Sequence, residues 1–377
     1  MLGAIAAAHV AKVAPRMSAK HRLKLKLRQA YARVLFHSGL HALVNKLMPR
    51  RLTILGGHCV SPMSGAWPAG AHLPPEMSIS ERKLEQFTRW FQARYDVVTI
   101  GAGVERLDAP SGGGRSMLAL SFDDGYRDNA RVLAPLLKRL GVGATVFLET
   151  RPLDERKVNW SHKYFWILAC TSPSDLMARW EKHARDLDLF HTLNQIVAEG
   201  RLEPLYHLKR ILKYECDPLE RDRVIDALFA DFGGDERAFT DLLYMTWDEA
   251  RALQAGGVEL GGHTVNHHIL AKLTPEVQAR EIEGGAASMR RELGRALPTF
   301  AYPWGRRWDF DAHSIEAAKA SGFRCAVTMH AGVNRRATER FALKRVAIDD
   351  SAQLHLLVAE ACGGFELLRK FGLDLSE

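Results

Sequence analysis

From about Arg51 onward, short apolar runs alternate with helix-patterned stretches, and that alternation limits the folds open to this chain of 377 residues. Runs at 52–55, 96–100, 117–122 and 144–148 read as strands, as do 258–262, 299–302, 323–329 and 343–348. Helices are expected between them. One starts behind Ser80 as N-cap and carries Leu84, Phe87, Trp90 and Phe91; another covers 130–140 and stops at Gly141. A third opens at Thr274-Pro275-Glu276 and ends at Gly294, a fourth spans 310–321 and stops at Gly322, and a helix closes the chain. The stretch from 101 to Gly114 reads as a glycine-rich loop. Strands joined through helices run parallel, so this many units predicts an α/β architecture, a closed or nearly closed (β/α) barrel. The alternation stops over 151–245, where helical, aromatic and charged text predicts an inserted helical region. Five segments follow: 1–51, 52–150, 151–245, 246–350 and 351–377, the second and fourth forming the barrel.

In such a barrel, chemistry gathers where strands end. The candidate groups stand there. His58 follows the first strand, Asp123 and Asp124 follow 117–122, and His263 follows 258–262; Pro303-Trp304-Gly305 and His330 follow two later strands. Adjacent carboxylates on a straight strand point to opposite faces, and Gly125 directly behind them permits the bend that brings both to one place. His263 and His267 share a face if their segment forms a helical turn, with His268 pointing away and Thr264 capping the turn or orienting a ligand. Two imidazoles and one carboxylate are a ligand set for a divalent metal with open positions, and the second carboxylate is left to act as a base. A solvated Asp-Asp-Gly turn and a chance pair of surface histidines are the plain alternatives. Both strings standing at strand ends favours a metal-dependent hydrolase.

The strings Ser121-Phe122-Asp123-Asp124-Gly125, His263-Thr264-Val265-Asn266-His267 and Tyr302-Pro303-Trp304-Gly305 resemble three motifs of the polysaccharide deacetylases of the NodB-homology type, the fourth carbohydrate esterase family. The resemblance runs over about 52–150 and 245–350. It implies a distorted (β/α) barrel and removal of N- or O-acyl groups from sugars, usually N-acetyl from amino sugars. It implies Asp123 as the general base, and Asp124, His263 and His267 as ligands of a divalent metal, zinc before others. The backbone N–H of Trp304 would hold the oxyanion, with Tyr302, Arg306 and His330 beside the substrate. Arg306 and Arg307 suit phosphate or acidic sugar groups, and Trp304 suits stacking on a sugar ring. The general acid is the departure. The family's late Leu-x-x-His string has no clear counterpart, since His355 follows Leu354 inside an expected helix. Gly57-His58-Cys59-Val60 resembles the Tyr-His-x-Val string of members acting on poly-N-acetylglucosamine, with Gly in place of Tyr, which implies His58 as acid and His330 as runner-up. The expected function is removal of an N-acetyl group from an amino sugar in a glycan or lipid-linked saccharide. A deformylase, an O-deacetylase or a non-catalytic saccharide-binding protein on the same barrel are the alternatives.

Charge is unevenly placed. Eleven of the 52 Lys/Arg lie in residues 1–51, which hold no Asp or Glu, so a net charge of +8 overall becomes 41 − 44 = −3 over 52–377. Within the basic stretch Leu23, Leu27, Tyr31, Val34 and Leu35 recur at helical spacing, with Lys20, Lys24 and Arg28 elsewhere on the wheel. Such a helix reads either as a contact with an anionic membrane surface through residues 20–50 or as a solvated helix packed on the barrel. Nucleic acid is not expected, because the charges carry no interleaved aromatics. Cys59, Cys170, Cys216, Cys325 and Cys362 form no close pair, which fits reduced thiols. No apolar run reaches the roughly 18–20 residues needed to span a bilayer. The apolar start, residues 1–8, lacks a charged leader and does not read as a secretory signal. A cytoplasmic protein, peripheral at the inner face of the membrane, is the expectation.

Overall fold

The computed structural model describes residues 19–63, 73–109, 114–184, 202–295, 297–373 and 375. Its strands are β1 (Leu52–Gly57), β2 (Cys59–Ser61), β3 (Ser78–Ser80), β4 (Asp96–Val98), β5 (Met117–Phe122), β6 (Thr145–Leu148), β7 (Glu259–Gly262), β8 (Thr299–Ala301), β9 (Cys325–Val327) and β10 (Val346–Ala347). The main sheet runs β10-β1-β5-β6-β7-β8-β9, with β4 also on β5, and every pairing in it is parallel. A bridge between Val327 of β9 and Leu343, just before β10, links the two ends of that order. The sheet is therefore a nearly closed, distorted (β/α) barrel. β2 and β3 form a separate parallel pair.

The strands close this way because both faces are covered. All residues of β1, β5 and β6 are buried, as continuous apolar runs in parallel sheets must be. Alternate residues of β5 enter different cores. Met117 and Ala119 join Leu52, Ile54 and Val327, whereas Leu118, Leu120 and Phe122 pack with the flanking helices. β5 holds three neighbours: all of β1, then β4 at its start and β6 at its end. That anchoring fixes the point at which the chain leaves the sheet into Asp123.

The expected helices appear as Glu81–Gln92, Pro275–Leu293 and Ala312–Ala320, and the one expected over 130–140 starts as a π-turn, Asn129–Leu133, before Ala134–Leu140. Gly141, at φ 66°, ends it in the left-handed region. One loop expectation fails. Residues Ile100–Asp108 form a helix whose N-cap Thr99 accepts from the Ala102 N–H. Its glycines are there for space: a Cβ on Gly101 would lie 2.5 Å from Glu259 Oε2, and one on Gly103 2.9 Å from Leu52. Close packing of the helix on the barrel outweighs their weak helix propensity, about 1 kcal/mol each. The chain also ends in two helices, Leu354–Ala361 and Gly364–Lys370, broken at Gly363 (φ 81°).

Residues Glu155–Leu242 form one compact unit, and Ser18–Trp67, Pro74–Asp154 and Leu243–Glu377 the other. The first is helical, with Trp160–Cys170, Pro173–Ala184, Leu202–Tyr214 and Pro218–Asp231 among its elements. Lys163 is buried there between Asp226 (2.6 Å) and Glu236 (2.5 Å). In the second unit the helix Ala19–His37 packs through Ala32 and Leu35 on Ala359, Cys362 and Phe365. Buried Arg51 ties this layer down by donating to the Ala361 carbonyl (2.6 Å), the Pro49 carbonyl (2.8 Å) and Asn45. The single apolar stripe expected on that helix is split: Leu35 faces inward, while Leu23, Leu27 and Val34 are exposed. No helix among the described residues is long and apolar enough to cross a membrane.

Candidate active site

At the end of β5 the Asp123 N–H still bonds the Gly57 carbonyl (3.0 Å). Immediately beyond, Asp124 and Gly125 both take φ 75°. This turn breaks the alternation of the pleat, which is how neighbouring carboxylates come to serve one place. Gly125 is required twice, by its φ and because a Cβ would lie 2.9 Å from Leu148. The histidine string departs from the helical turn expected of it. After β7 it is an irregular loop in which Thr264 (φ 66°) and His267 (φ 57°) are left-handed. Thr264 Oγ1 accepts from the His267 N–H (3.1 Å), so the threonine shapes the loop that aims the second imidazole. Trp304, at the end of β8, has φ 64°. Four of the five left-handed non-glycine residues among those described thus lie at Asp124, Thr264, His267 and Trp304. At on the order of 1–3 kcal/mol each, such strain persists only where the surroundings impose it.

The buried side chains of Asp124, His263 and His267 converge. Asp124 Oδ1 is 3.2 Å from His263 Nε2 and 3.3 Å from His267 Nε2, and one ligand atom from each residue lies within 4.8 Å of the others. His263 Nδ1 is 2.7 Å from the Ala301 carbonyl and must donate to it, which leaves the Nε2 lone pair facing Asp124. Tyr126 Oη donates to the other carboxylate oxygen, Oδ2 (2.8 Å). Asp124 Oδ1 accepts no hydrogen bond and His267 Nδ1 has no partner. Lone pairs gathered this way in a buried site call for a proton or a cation among them. A tetrahedral zinc with ligands at about 2.0–2.1 Å sets its donor atoms roughly 3.3 Å apart, which the two Asp124–imidazole distances match. Burial pushes the Asp124 carboxyl up, but the facing imidazoles of His267 and His263 hold it well below the ordinary range. Burial lowers both imidazoles. Contact with Asp124 and the charge of Asp123 leave His263 raised on balance, whereas His267 stays lowered.

Asp123 has a different partner. Arg345 Nη1 and Nη2 donate to its two oxygens at 2.6 and 2.8 Å, and Arg345 Nε donates to the Thr328 carbonyl (3.0 Å). Both members of this forked pair are buried. Burial raises the Asp123 carboxyl, yet the Arg345 charge, aided by His263, brings it below its usual value. Sequence reasoning missed Arg345, Tyr126 and Asp128. Asp128 accepts from the Val60 N–H and from Asn129 Nδ2 (3.1 Å), and Asn129 Nδ2 also reaches the His58 carbonyl (3.1 Å). Burial pushes the Asp128 carboxyl up to about 7. These two residues, at the π-turn, hold the backbone on which His58 stands.

The remaining expected residues fall at different distances from this centre. His58 is half-buried, and its charge reaches Asp123, Asp124 and His267. The Trp304 ring meets the His267 ring edge-on, with centroids 5.2 Å apart. Tyr302 departs from its expected substrate role: it is wholly buried, stacked on Phe310 at 4.0 Å, with its hydroxyl donating to the Phe341 carbonyl (3.1 Å). An apolar strand end needs its aromatic in the core, and that is where this one goes. Arg306 is exposed, and its backbone N–H is held by Asp309 (2.9 Å). His330 is half-buried near Phe310, and burial together with Lys344 and Arg307 lowers its imidazole. His355 lies in the helix Leu354–Ala361 and meets Gln29 (2.8 Å).

Comparison with known proteins agrees with this arrangement. The family model described as polysaccharide deacetylase matches residues 111–194 and 224–326. The polysaccharide deacetylase candidate YxkH of Bacillus subtilis (strain 168) is 25% identical over 105 residues, 28% of this chain and 37% of the relative. The chain thus matches little more than a third of that relative's length. Among solved structures, the Streptococcus pyogenes deacetylase PplD in complex with acetate superposes with a TM-score of 0.54 at 15% identity, covering 83% of this chain and 99% of that one. IcaB from Ammonifex degensii gives 0.52 at 16% identity, with 84% and 98% covered. A de-N-acetylase from Aggregatibacter actinomycetemcomitans gives 0.50 at 19%, with 80% and 97% covered. At these identities the structural likeness speaks for the fold, and the matched segments carry both Asp123-Asp124 and His263–His267. Residues 111–194 and 224–326 of the chain belong to the polysaccharide deacetylase family.

Proposed function

We propose that this protein is a metal-dependent hydrolase that removes an N-acetyl group from an amino sugar in a glycan or lipid-linked saccharide. The observation that carries the reading is one carboxylate oxygen, Asp124 Oδ1, buried against two imidazole nitrogens beside a second carboxylate that binds no imidazole. A divalent metal held by Asp124, His263 and His267, zinc by the donor set, supplies Lewis acidity to the acyl carbonyl. Asp123 stays ionised at neutral pH and accepts the proton of the attacking water. Arg345 occupies one lone pair on each of its oxygens and leaves another to take that proton. The Trp304 N–H steadies the oxyanion, and its ring gives a sugar an apolar surface beside His267. His58 returns a proton to the departing amine, held in reach by Asn129 on its carbonyl. Arg306 and His330 border the substrate further out. The finer reading places the reaction on a lipid-linked precursor at an anionic membrane surface met by residues 20–50.

The test incubates the purified chain with N-acetylated amino-sugar oligosaccharides and lipid-linked saccharides, and measures released acetate by mass spectrometry. Acetate release should vanish on chelation and return with zinc, and Asp123→Asn should lower turnover at least about 100-fold. Wild-type turnover in either case rejects the catalytic reading. Formate in place of acetate makes the protein a deformylase, and binding without release makes it a saccharide-binding protein.

A further inference from the structure

The helix Ala19–His37 has two apolar faces. Ala32 and Leu35 are buried on the C-terminal helices, and Tyr31 Oη donates to the Gly364 carbonyl (3.0 Å). On the other side Leu23, Leu27 and Val34 are 57%, 52% and 63% exposed. With 3.6 residues per turn these three fall within about 40° of arc. Lys20 and Lys24 flank that arc on one side, and Arg22, Lys26 and Arg33 on the other, each roughly 60–100° from Leu23. The next helix, Leu40–Leu47, buries none of its residues. Its Leu40, Leu43 and Leu47 share one face and are 48%, 52% and 74% exposed. Six of the eleven large apolar side chains exposed among the described residues therefore lie between positions 23 and 47. Scattered exposed leucines need no explanation, but such a concentration does. No Asp or Glu occurs before Glu76, so nothing in this segment opposes an anionic partner.

We infer that the exposed leucine faces of both helices insert into the headgroup layer of an anionic bilayer. The apolar side chains enter the acyl boundary, and the flanking Lys and Arg extend their aliphatic stems along it and place their charges among lipid phosphates. This rests on the reading of residues 20–50 as a membrane contact and adds apolar insertion to it. Charge attraction alone would need the lysines and arginines and not the leucines, and it would fade as salt screens it.

The experiment floats the full chain with vesicles of phosphatidylcholine alone or with 30% phosphatidylglycerol, at about 0.1 and 0.5 M salt. The wild type should float with the anionic vesicles and keep much of that binding at high salt. The triple variant Leu23→Gln, Leu27→Gln, Leu43→Gln, which adds no charge, should lose at least tenfold in partition, with unchanged circular dichroism and unchanged hydrolysis of a soluble acetylated oligosaccharide. A variant with Lys20, Lys24, Lys26 and Arg33 changed to Gln should lose binding mainly at low salt. If the triple variant floats like the wild type, insertion is rejected while charge attraction survives. If the wild type floats with neither vesicle, both membrane readings fall, and the hydrolysis assay judges the catalytic one separately. A wild-type dimer that the triple variant turns monomeric, with no vesicle binding, assigns the face to self-association and overturns the proposal.

Discussion

The two ends of β7 show how a carboxylate becomes structure in one place and chemistry in another. At its start, Glu259 accepts from the Gly101 N–H (3.1 Å), Thr145 Oγ1 (3.1 Å) and Thr299 Oγ1 (3.2 Å), which ties four segments of the barrel together. Four residues later the strand has delivered His263 to Asp124, whose Oδ1 meets only imidazole nitrogens. The backbone differs in the same sense. The left-handed residues Asp124, Thr264, His267 and Trp304 crowd the second end. Fully satisfied polar groups stabilise the barrel; incompletely satisfied ones, held in place by strain, leave room for a ligand to complete them. The contrast predicts that changes at the first end cost stability and spare turnover, while changes at the second alter metal affinity and proton transfer.

The largest effect expected is at Arg345, whose forked bonds hold both oxygens of Asp123. Arg345→Met leaves Asp123 as an uncompensated buried charge, and breaking such a pair costs about 3–5 kcal/mol. In the wild type the Asp123 carboxyl lies below its ordinary value, so it contributes stability above about pH 4 that is lost as pH falls through the lowered value. Without the guanidinium, burial is opposed only by the nearby imidazoles and the carboxyl rises. The acidic limb of the kcat/KM profile should therefore move to higher pH, and the gain in stability as pH rises from the lowered value to about 4 should vanish. Denaturant melts and a pH–rate profile measure both, and Arg345→Lys, which keeps the charge, should restore part of each. An unmoved acidic limb would mean that Asp123 is not the base.

Next comes Tyr126, whose hydroxyl occupies Asp124 Oδ2 and so leaves Oδ1 to the histidines. Tyr126→Phe should weaken zinc binding about 10–100-fold, the usual cost of losing a partner that orients a ligand. Competition with a chromogenic chelator reads this directly, whatever the turnover. An unchanged affinity would show that the histidines alone orient the carboxylate.

These two residues also mark what the sequence concealed. Asp123, Asp124, His263 and His267 were legible because each stands where an apolar run ends, and strand ends are where a parallel barrel exposes side chains. Arg345 was not, since it lies 222 positions from Asp123 and only the closing of β10 onto β1 brings them together. The barrel itself was legible from period alone. The helix Ile100–Asp108 was hidden because Gly101 and Gly103 carry the composition of a loop, while their purpose, close approach to Glu259 and Leu52, exists only after folding. The histidine loop was misread for a related reason. A spacing of four suits a helical turn, and two left-handed residues produce the same convergence without one. Tyr302 shows the limit of transferring a motif, since its ring serves the core.

The smallest effect expected is at the other end of β7. Glu259→Gln keeps the shape and removes the charge, but an amide nitrogen must now sit where a second oxygen accepted. Gly101 N–H lies 3.1 Å from both oxygens, so a donor would face a donor whichever way the amide turns, or a threonine hydroxyl must give up its bond. Leaving one buried group without a partner costs about 1–3 kcal/mol, which should appear as a lower denaturation midpoint. Zinc affinity and acetate release should stay at wild-type values, because the site's geometry depends on where β7 ends and the ladder to β6 and β8 is unchanged. A variant of normal stability would mean that the hydroxyls reorganise around the amide at little cost. A variant that melts normally yet binds zinc weakly would be more damaging, since it would couple the two ends through the strand and remove the division between structural and chemical carboxylates.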